Sequence, residues 1–138
     1  MSNQQEHERG IIRAFIIPVR QDRYLEMLTK PKRRGNFTAS LAHFKHLDMR
    51  HVVKIPSHQQ HTAEILQLLK LKGAPETCYA LSEDSELDGR ELLLSEALKD
   101  VVGRGMGTSL LCLPGRLAYF EDEEDRWILE RNERLEVR

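Results

Sequence analysis

The sequence predicts a single α/β domain of the α+β kind: a mixed sheet of about five strands with three or four helices, mainly on one side. Three observations predict this class. The chain has 138 residues, the usual size of one domain. Strand-sized apolar runs alternate with segments of helical period over its first two thirds. Three strand-like runs then follow one another, which is typical of an antiparallel meander.

The bulk composition narrows the class of protein. Hydrophobic residues make up 40% of the chain and charged residues 31%, as in globular rather than disordered proteins. The formal net charge is −1, so any attraction of nucleic acid must come from a local patch. No apolar run approaches the roughly 18 residues that span a bilayer, and the N-terminus lacks signal-peptide features. We therefore expect a cytoplasmic protein without a membrane partner.

The two ends of the chain are polar. We expect a disordered tail over residues 1–9, one domain over 10–131 and a charged tail over 132–138.

The first elements follow from apolar patterning and breakers. The β-branched run "GIIRAFIIPV" predicts a central strand over 11–17. Residues 20–29 fit a short helix that ends before Pro31. A basic turn follows, and Asn36 suits the N-cap of a helix over 37–47.

The middle of the chain has clearer signals. "RHVVKIP" predicts a short strand or an extended link. Ser57 and Gln60 have capping-box spacing, and Gly73 is a suitable residue to end the helix that follows. Residues 77–82 predict a buried strand.

The last third predicts a short helix and then the meander. Ser95 can cap a helix that ends at Gly103. "TSLLCL" and "RLAYFE" form a hairpin across Pro114 and Gly115, a pair typical of a type II turn, and "WILER" is the third strand.

A cationic segment, residues 30–54, is the strongest functional signal. Several cations fall in one predicted turn, and others share the solvent side of the following helix. Such strips contact phosphates in RNA and other polyanions, and Arg20 and Arg23 could extend this one. A solvated basic corner is the simpler interpretation. The predicted polyanion contacts are Lys32, Arg33, Arg34, His46 and Arg50.

An acidic loop follows the predicted strand 77–82. Its alternating Asp84, Glu86 and Asp88 resemble the start of a calcium loop, but Ser95 occupies the position of the bidentate Glu, so this is not an EF-hand. The three carboxylates could still hold Mg²⁺ or Ca²⁺. A solvated loop that ends in an Asp-Gly turn is the simpler interpretation.

Five histidines fall within residues 43–61, in two pairs with i,i+3 spacing. A zinc site needs three or four converging ligands, and no zinc motif is present. We expect surface and boundary histidines. They are His43, His46, His51, His58 and His61.

The glycine cluster "GRGMG", residues 103–107, lies between a helix and a strand. Phosphate loops have the opposite order, with the helix following the glycines. We therefore predict a helix C-cap and a tight connection.

Cys78 and Cys112 both lie inside apolar strand-like runs and could be neighbours across the sheet. Neither is flanked by cations, which disfavours a reactive thiolate. We predict buried, reduced thiols.

No catalytic pattern stands out, so we favour a binding or regulatory protein that contacts RNA or another polyanion through residues 30–54. One alternative is a metal-dependent hydrolase or phosphotransfer enzyme that uses the acidic loop and a histidine base. The other is a protein–protein adaptor or homodimer in which the meander offers an edge strand.

Overall fold

A computed structural model describes residues 3–131, with only the backbone of Asn3. The predicted tail over 132–138 lies outside the described residues. Among the described residues no helix is long and apolar enough to cross a bilayer. The helices are α1 Asn3–Phe15, α2 Pro18–Thr29, α3 Pro31–Ser40, α4 Thr62–Leu71 and α5 Leu94–Val101. The strands are β1 Val52–Lys54, β2 Thr77–Ser82, β3 Glu91–Leu93, β4 Thr108–Leu113, β5 Leu117–Glu121 and β6 Arg126–Glu130.

The strands form one sheet in the order β1-β6-β5-β4-β2-β3. Every neighbouring pair is antiparallel. The α+β class and the C-terminal meander β4-β5-β6 are confirmed. The sheet has six strands, close to the predicted five, but it is antiparallel rather than mixed, because the connection through α5 places β4 beside β2, which runs in the opposite direction. The three-residue strand β3 was missed because it is too short to show a period.

Helices cover both faces of the sheet. One apolar cluster packs α4 and α5 against alternate strand residues, including Ala80, Leu110 and Tyr119. The other packs α1, α2 and α3 against the intervening ones, including Leu81 and Phe120. The prediction of helices mainly on one side was therefore wrong. The central strands are apolar at successive positions, so both of their faces need a cover.

The meander has no free edge among the described residues. Strand β4 is paired with β2, and β6 is paired with β1. The sheet ends instead at β1 and β3, each three residues long. Edges this short offer little backbone for pairing with another chain. The edge proposed for an adaptor or homodimer is thus occupied within the molecule.

Helix α1 replaces the predicted strand over 11–17, and residues 3–9 belong to it rather than to a disordered tail. His7, Ile11 and Ala14 are buried at helical spacing. A side chain at Gly10 would collide with the backbone of the β4–β5 turn, so this glycine lets α1 lie close to the sheet. The extended Ile17 ends α1, as expected for a residue before Pro18.

Helix α3 occupies the predicted basic turn. Pro31 ends α2, and it also begins α3 at the position where a missing N–H costs nothing. The helix predicted over 37–47 therefore starts earlier. It passes into a 3-10 turn over Leu41–His43, and the chain is extended at Phe44.

Candidate functional site

Helix α3 separates the predicted polyanion contacts. The side chains of Arg33 and Arg34 are adjacent in sequence, but they are 57% and 24% exposed. Arg33 faces solvent beside α2, whereas Arg34 points inward toward α1 and the acidic loop. Lys32 is exposed and has no ion pair among the described residues. The run of three cations therefore supplies two surface charges and one structural charge.

Arg34 lies between two carboxylates. Its Nε is 3.0 Å from Asp88 Oδ2 and its Nη2 is 3.2 Å from Asp88 Oδ1. Its Nη1 donates to Glu8 Oε2 at 2.8 Å. Tyr79 donates its hydroxyl hydrogen to the same Glu8 oxygen. Arg34 thus joins α1, α3 and the loop after β2 through charge-assisted hydrogen bonds.

This network is largely shielded from water. Burial alone would lower the pKa of Arg34, but the hydrogen bonds to Asp88 and Glu8 outweigh it and raise that pKa above its usual value. Burial, followed by the bond to Glu8, raises the pKa of the Tyr79 hydroxyl. Asp88 also accepts the Ser82 N–H at 3.0 Å. Both carboxylate oxygens of Asp88 therefore accept hydrogen bonds within the chain.

The other two residues of the acidic loop do not converge with Asp88. Asp84 accepts the N–H of Glu86 at 2.9 Å, and its carboxylate lies 3.7 Å from Arg104. Glu86 is exposed. Among residues 3–131 no group of three or more histidine, cysteine or acidic side chains is placed to hold a metal ion. The Mg²⁺ or Ca²⁺ site remains a prediction from the sequence.

His46 and Arg50 also have partners within the chain. His46 Nδ1 is 2.6 Å from the Tyr24 hydroxyl, on the edge of the aromatic cluster with Phe44. Arg50 binds Asp48 through its Nη2 at 2.7 Å and its Nε at 2.9 Å. These bonds hold the segment after α3 in place, and they tie Arg50 to the buried Asp48, away from the corner between α2 and α3.

A different group of cations comes together at the corner between α2 and α3. Lys30 lies 2.9 Å and Arg33 lies 3.3 Å from the same oxygen of Glu26. The hydrogen bond from Lys30 lowers the pKa of Glu26, and the charges of Lys30, Arg33 and Arg23 lower it further. One exposed carboxylate is therefore shared by two cations, with the charge of Arg23 nearby.

Arg20 extends this group along α2. Burial raises the pKa of the Tyr24 hydroxyl, while the nearby charges of Arg20 and Arg23 act in the opposite direction. Both arginines are exposed and have no ion pair among the residues described. We call these four side chains the α2–α3 basic surface. It comprises Arg20, Arg23, Lys30 and Arg33.

Charge is unevenly divided along the chain. Residues 3–48, which include α1, α2 and α3, hold nine lysines and arginines and five acidic residues. Residues 49–131 hold ten lysines and arginines and fifteen acidic residues. The helical layer that carries the α2–α3 basic surface is thus positive, although the whole chain is nearly neutral. A net charge taken over the whole sequence conceals this separation.

A groove of about 240 Å³ lies between α1 and α2, beside Leu25 and Leu28. Arg9 and Arg13 stand at its sides, and Arg13 bonds to Gln21 at 3.2 Å and Asp22 at 3.3 Å. Arg9 is exposed. The sequence did not indicate this groove, because α1 was interpreted as a strand and a tail.

The glycine loop after α5 binds anions that belong to the protein itself. Gly103 N–H and Gly105 N–H donate to the two oxygens of Glu121 at 3.0 and 2.8 Å. Gly107 N–H donates to Glu83 at 2.6 Å. Gly103 has φ +88°, as a residue just after a helix requires. The predicted C-cap is confirmed, and internal carboxylates occupy the positions that a phosphate would need.

Neither a scan against protein-family models nor searches of the curated proteins and of the solved structures found a match to this chain.

Proposed function

We propose that this is a small cytoplasmic binding protein that contacts the phosphates of RNA, or of another polyanion, through the α2–α3 basic surface. One observation carries the proposal: Lys30 and Arg33 share the single carboxylate of Glu26 on an exposed corner, and the charge of Arg23 lies within electrostatic range of the same carboxylate. Such an excess of cations on a nearly neutral chain makes a local site for anions.

The surface cations are available to a ligand because their present bonds are weak. The side chains of Lys30 and Glu26 are 56% and 50% exposed. An exposed ion pair contributes roughly 0–1 kcal/mol, so a phosphate can replace the carboxylate at little cost. The planar guanidinium of arginine also offers paired N–H donors, which match phosphate geometry better than the ammonium of lysine does.

The proposed binding mode does not depend on base sequence. Within residues 3–131 none of the four cations stacks on an aromatic ring, and the rings of Tyr24 and Phe37 are buried in the helical layer. Phosphate contacts position a nucleic acid without reading its bases. We therefore expect binding to depend strongly on salt and weakly on sequence.

The test is the affinity for a fluorescein-labelled uridine decamer, measured by anisotropy at several salt concentrations. Arg23→Glu with Arg33→Glu should weaken binding by about tenfold or more and reduce the slope of log K against log salt by about two. The control is Lys99→Glu with Arg104→Glu, a charge change of equal size at two exposed cations on α5 and just after it. Equal affinities for the wild type, the test variant and the control would refute the proposal.

A further inference from the structure

Cys78 and Cys112 are next to each other on paired strands. Strands β2 and β4 are antiparallel, with Ala80 opposite Leu110 and Tyr79 opposite Leu111. One more step in this register places Cys78 opposite Cys112. Both cysteines contribute to the apolar cluster under α4 and α5, so their side chains lie on the same face of the sheet.

The hydrogen-bond pattern identifies the kind of cross-strand pair. The Ala80 N–H donates to Arg90 O at 2.9 Å, and the Ala80 carbonyl accepts from the Gly89 N–H at 2.8 Å. Both backbone groups of Ala80 therefore point toward β3 and away from β4. Because N–H groups alternate along a strand, Cys78 also directs its backbone groups away from β4. The two cysteines therefore occupy a non-hydrogen-bonded pair, in which Cα atoms are typically about 4.5 Å apart. That separation lies within the range of disulfides, about 4.4–6.8 Å.

Strand β4 is irregular at this point. Its register with β5 shifts between Leu111 and Leu113, so Cys112 is the extra residue of a β-bulge. A bulge interrupts the regular hydrogen-bond ladder at this position.

The chemical environment keeps both thiols protonated in the closed sheet. Burial raises the pKa of Cys78 to about 12. Burial, and then the charge of Cys78, raises the pKa of Cys112. The second effect shows that each sulfur lies within electrostatic range of the other. Because the thiolate is the reactive form, we expect oxidation to be slow while both thiols stay buried and protonated.

Cys78 lies one residue from the start of β2, and Cys112 lies one residue from the end of β4. Thr77, the first residue of β2, is exposed, and so is Glu76 before it. Cys112 is followed by Leu113 and the turn at Pro114. A peroxide can reach the two thiols only after local opening of the sheet at the start of β2, and local opening costs far less free energy than global unfolding.

We propose that Cys78 and Cys112 are an oxidation site at which a hydroperoxide forms an intramolecular disulfide that joins β2 to β4. One thiolate attacks the peroxide oxygen, giving a sulfenic acid and releasing an alcohol, or water when the oxidant is hydrogen peroxide. The second thiol attacks the sulfenic sulfur and releases water. Two thiols are oxidised to one disulfide, and one peroxide bond is reduced. In a reducing compartment the dithiol form is then restored by thiol exchange.

The test uses the full chain, treated with hydrogen peroxide in native buffer and then digested and mapped by mass spectrometry without reduction. We expect a cross-linked peptide containing both cysteines from monomeric protein, two hydrogens lighter than the sum of its parts. The cross-link closes the loop over residues 78–112, so the oxidised protein should unfold roughly 10 °C higher than the reduced protein. Dithiothreitol should restore the original melting temperature.

Cys112→Ala is the matched variant, because it keeps one thiol and cannot form the internal bond. It should show neither the cross-linked peptide nor the rise in melting temperature. The proposal is overturned if the peroxide-treated wild type carries only sulfinic or sulfonic cysteines, only links between molecules, or two thiols that are still alkylated after denaturation. None of these outcomes bears on the α2–α3 basic surface, so the two proposals fail separately.

Discussion

Arg34 donates two hydrogen bonds to the carboxylate of Asp88, from Nε at 3.0 Å and from Nη2 at 3.2 Å. The sequence suggested a polyanion contact for the first residue and a metal ligand for the second. In the fold each neutralises the other, with Glu8 as a second acceptor for Arg34. Their pairing removes Arg34 from the predicted polyanion contacts and leaves the candidate binding surface at the corner between α2 and α3.

Arg34→Met should destabilise the fold by about 3–5 kcal/mol, because it leaves two shielded carboxylates without their cation. Arg34→Lys should recover only part of that loss, since an ammonium cannot form the bidentate bond to Asp88. Urea unfolding measures both changes. Arg33→Met, at the preceding residue, is the matched control, and it should change the free energy of unfolding by less than about 0.5 kcal/mol. Similar losses at both positions would contradict the inward placement of Arg34.

Glu26→Gln should strengthen binding of the uridine decamer by about two- to threefold, because it removes the one carboxylate that, in the described part of the chain, is paired with the α2–α3 basic surface. The gain should shrink as salt is raised. Glu96→Gln serves as the control, since its partner Lys99 lies on α5. A fall in affinity for Glu26→Gln would mean that this carboxylate positions the cations for the ligand rather than competing with it.

Asp48 should give the fold an acid-sensitive contribution to stability. The hydrogen bond from Arg50 holds the pKa of Asp48 at about 2, below the usual value for this residue. A folded pKa below the unfolded one means that the charged form stabilises the fold fully above about pH 4. That contribution disappears as the pH falls through 2.

Thermal unfolding between pH 2 and 6 measures this effect. Asp48→Asn should be less stable than the wild type by about 1–2 kcal/mol at pH 6, and the difference should narrow below pH 4. Asp22→Asn, at a carboxylate that is 95% exposed, should give no such difference. A stability gap at Asp48 that stays constant with pH would contradict the role of its charge.

Two glycine-to-alanine substitutions should have opposite effects. A Cβ at Gly107 would overlap the backbone of Leu41 and Ala42, so Gly107→Ala should cost about 3 kcal/mol. A Cβ at Gly35 would meet no atom within 4 Å. Gly35 lies inside α3, so Gly35→Ala should stabilise the fold by about 0.5–1 kcal/mol. Melting temperatures test the pair, and a loss of stability at Gly35 would contradict the helical start of α3.

The longer strands and the glycines that follow helices could be predicted from sequence because their signals are local. Residues 77–82 form β2 as expected, and Gly73 and Gly115 adopt the positive φ angles of a helix end and a type II turn.

The predicted N-caps were wrong: Asn36 lies inside α3, α4 begins after His61 rather than at Ser57, and Ser95 lies inside α5. The N-terminal third was harder. "GIIRAFII" satisfies both a strand and a helix pattern, and tertiary packing onto the sheet selects the helix.

The pairing of side chains across the fold could not be predicted. Arg34 and Asp88 are far apart in sequence, and no local pattern indicates that a cation and a carboxylate will meet. The same applies to the glycine loop, because its N–H groups donate to Glu121, which lies at the end of β5. The composition did indicate that any basic surface must be local, and the excess of cations over residues 3–48 agrees with that expectation.

The location of binding is the most direct test of the central claim. Two-dimensional ¹⁵N–¹H spectra of the protein should be recorded as the uridine decamer is added at low salt and again at high salt. We expect amide shifts concentrated over residues 20–33, which fade at high salt and are lost in the Arg23→Glu and Arg33→Glu variant. Absence of shifts at low salt, or shifts confined to residues 83–130, would contradict binding at the α2–α3 basic surface.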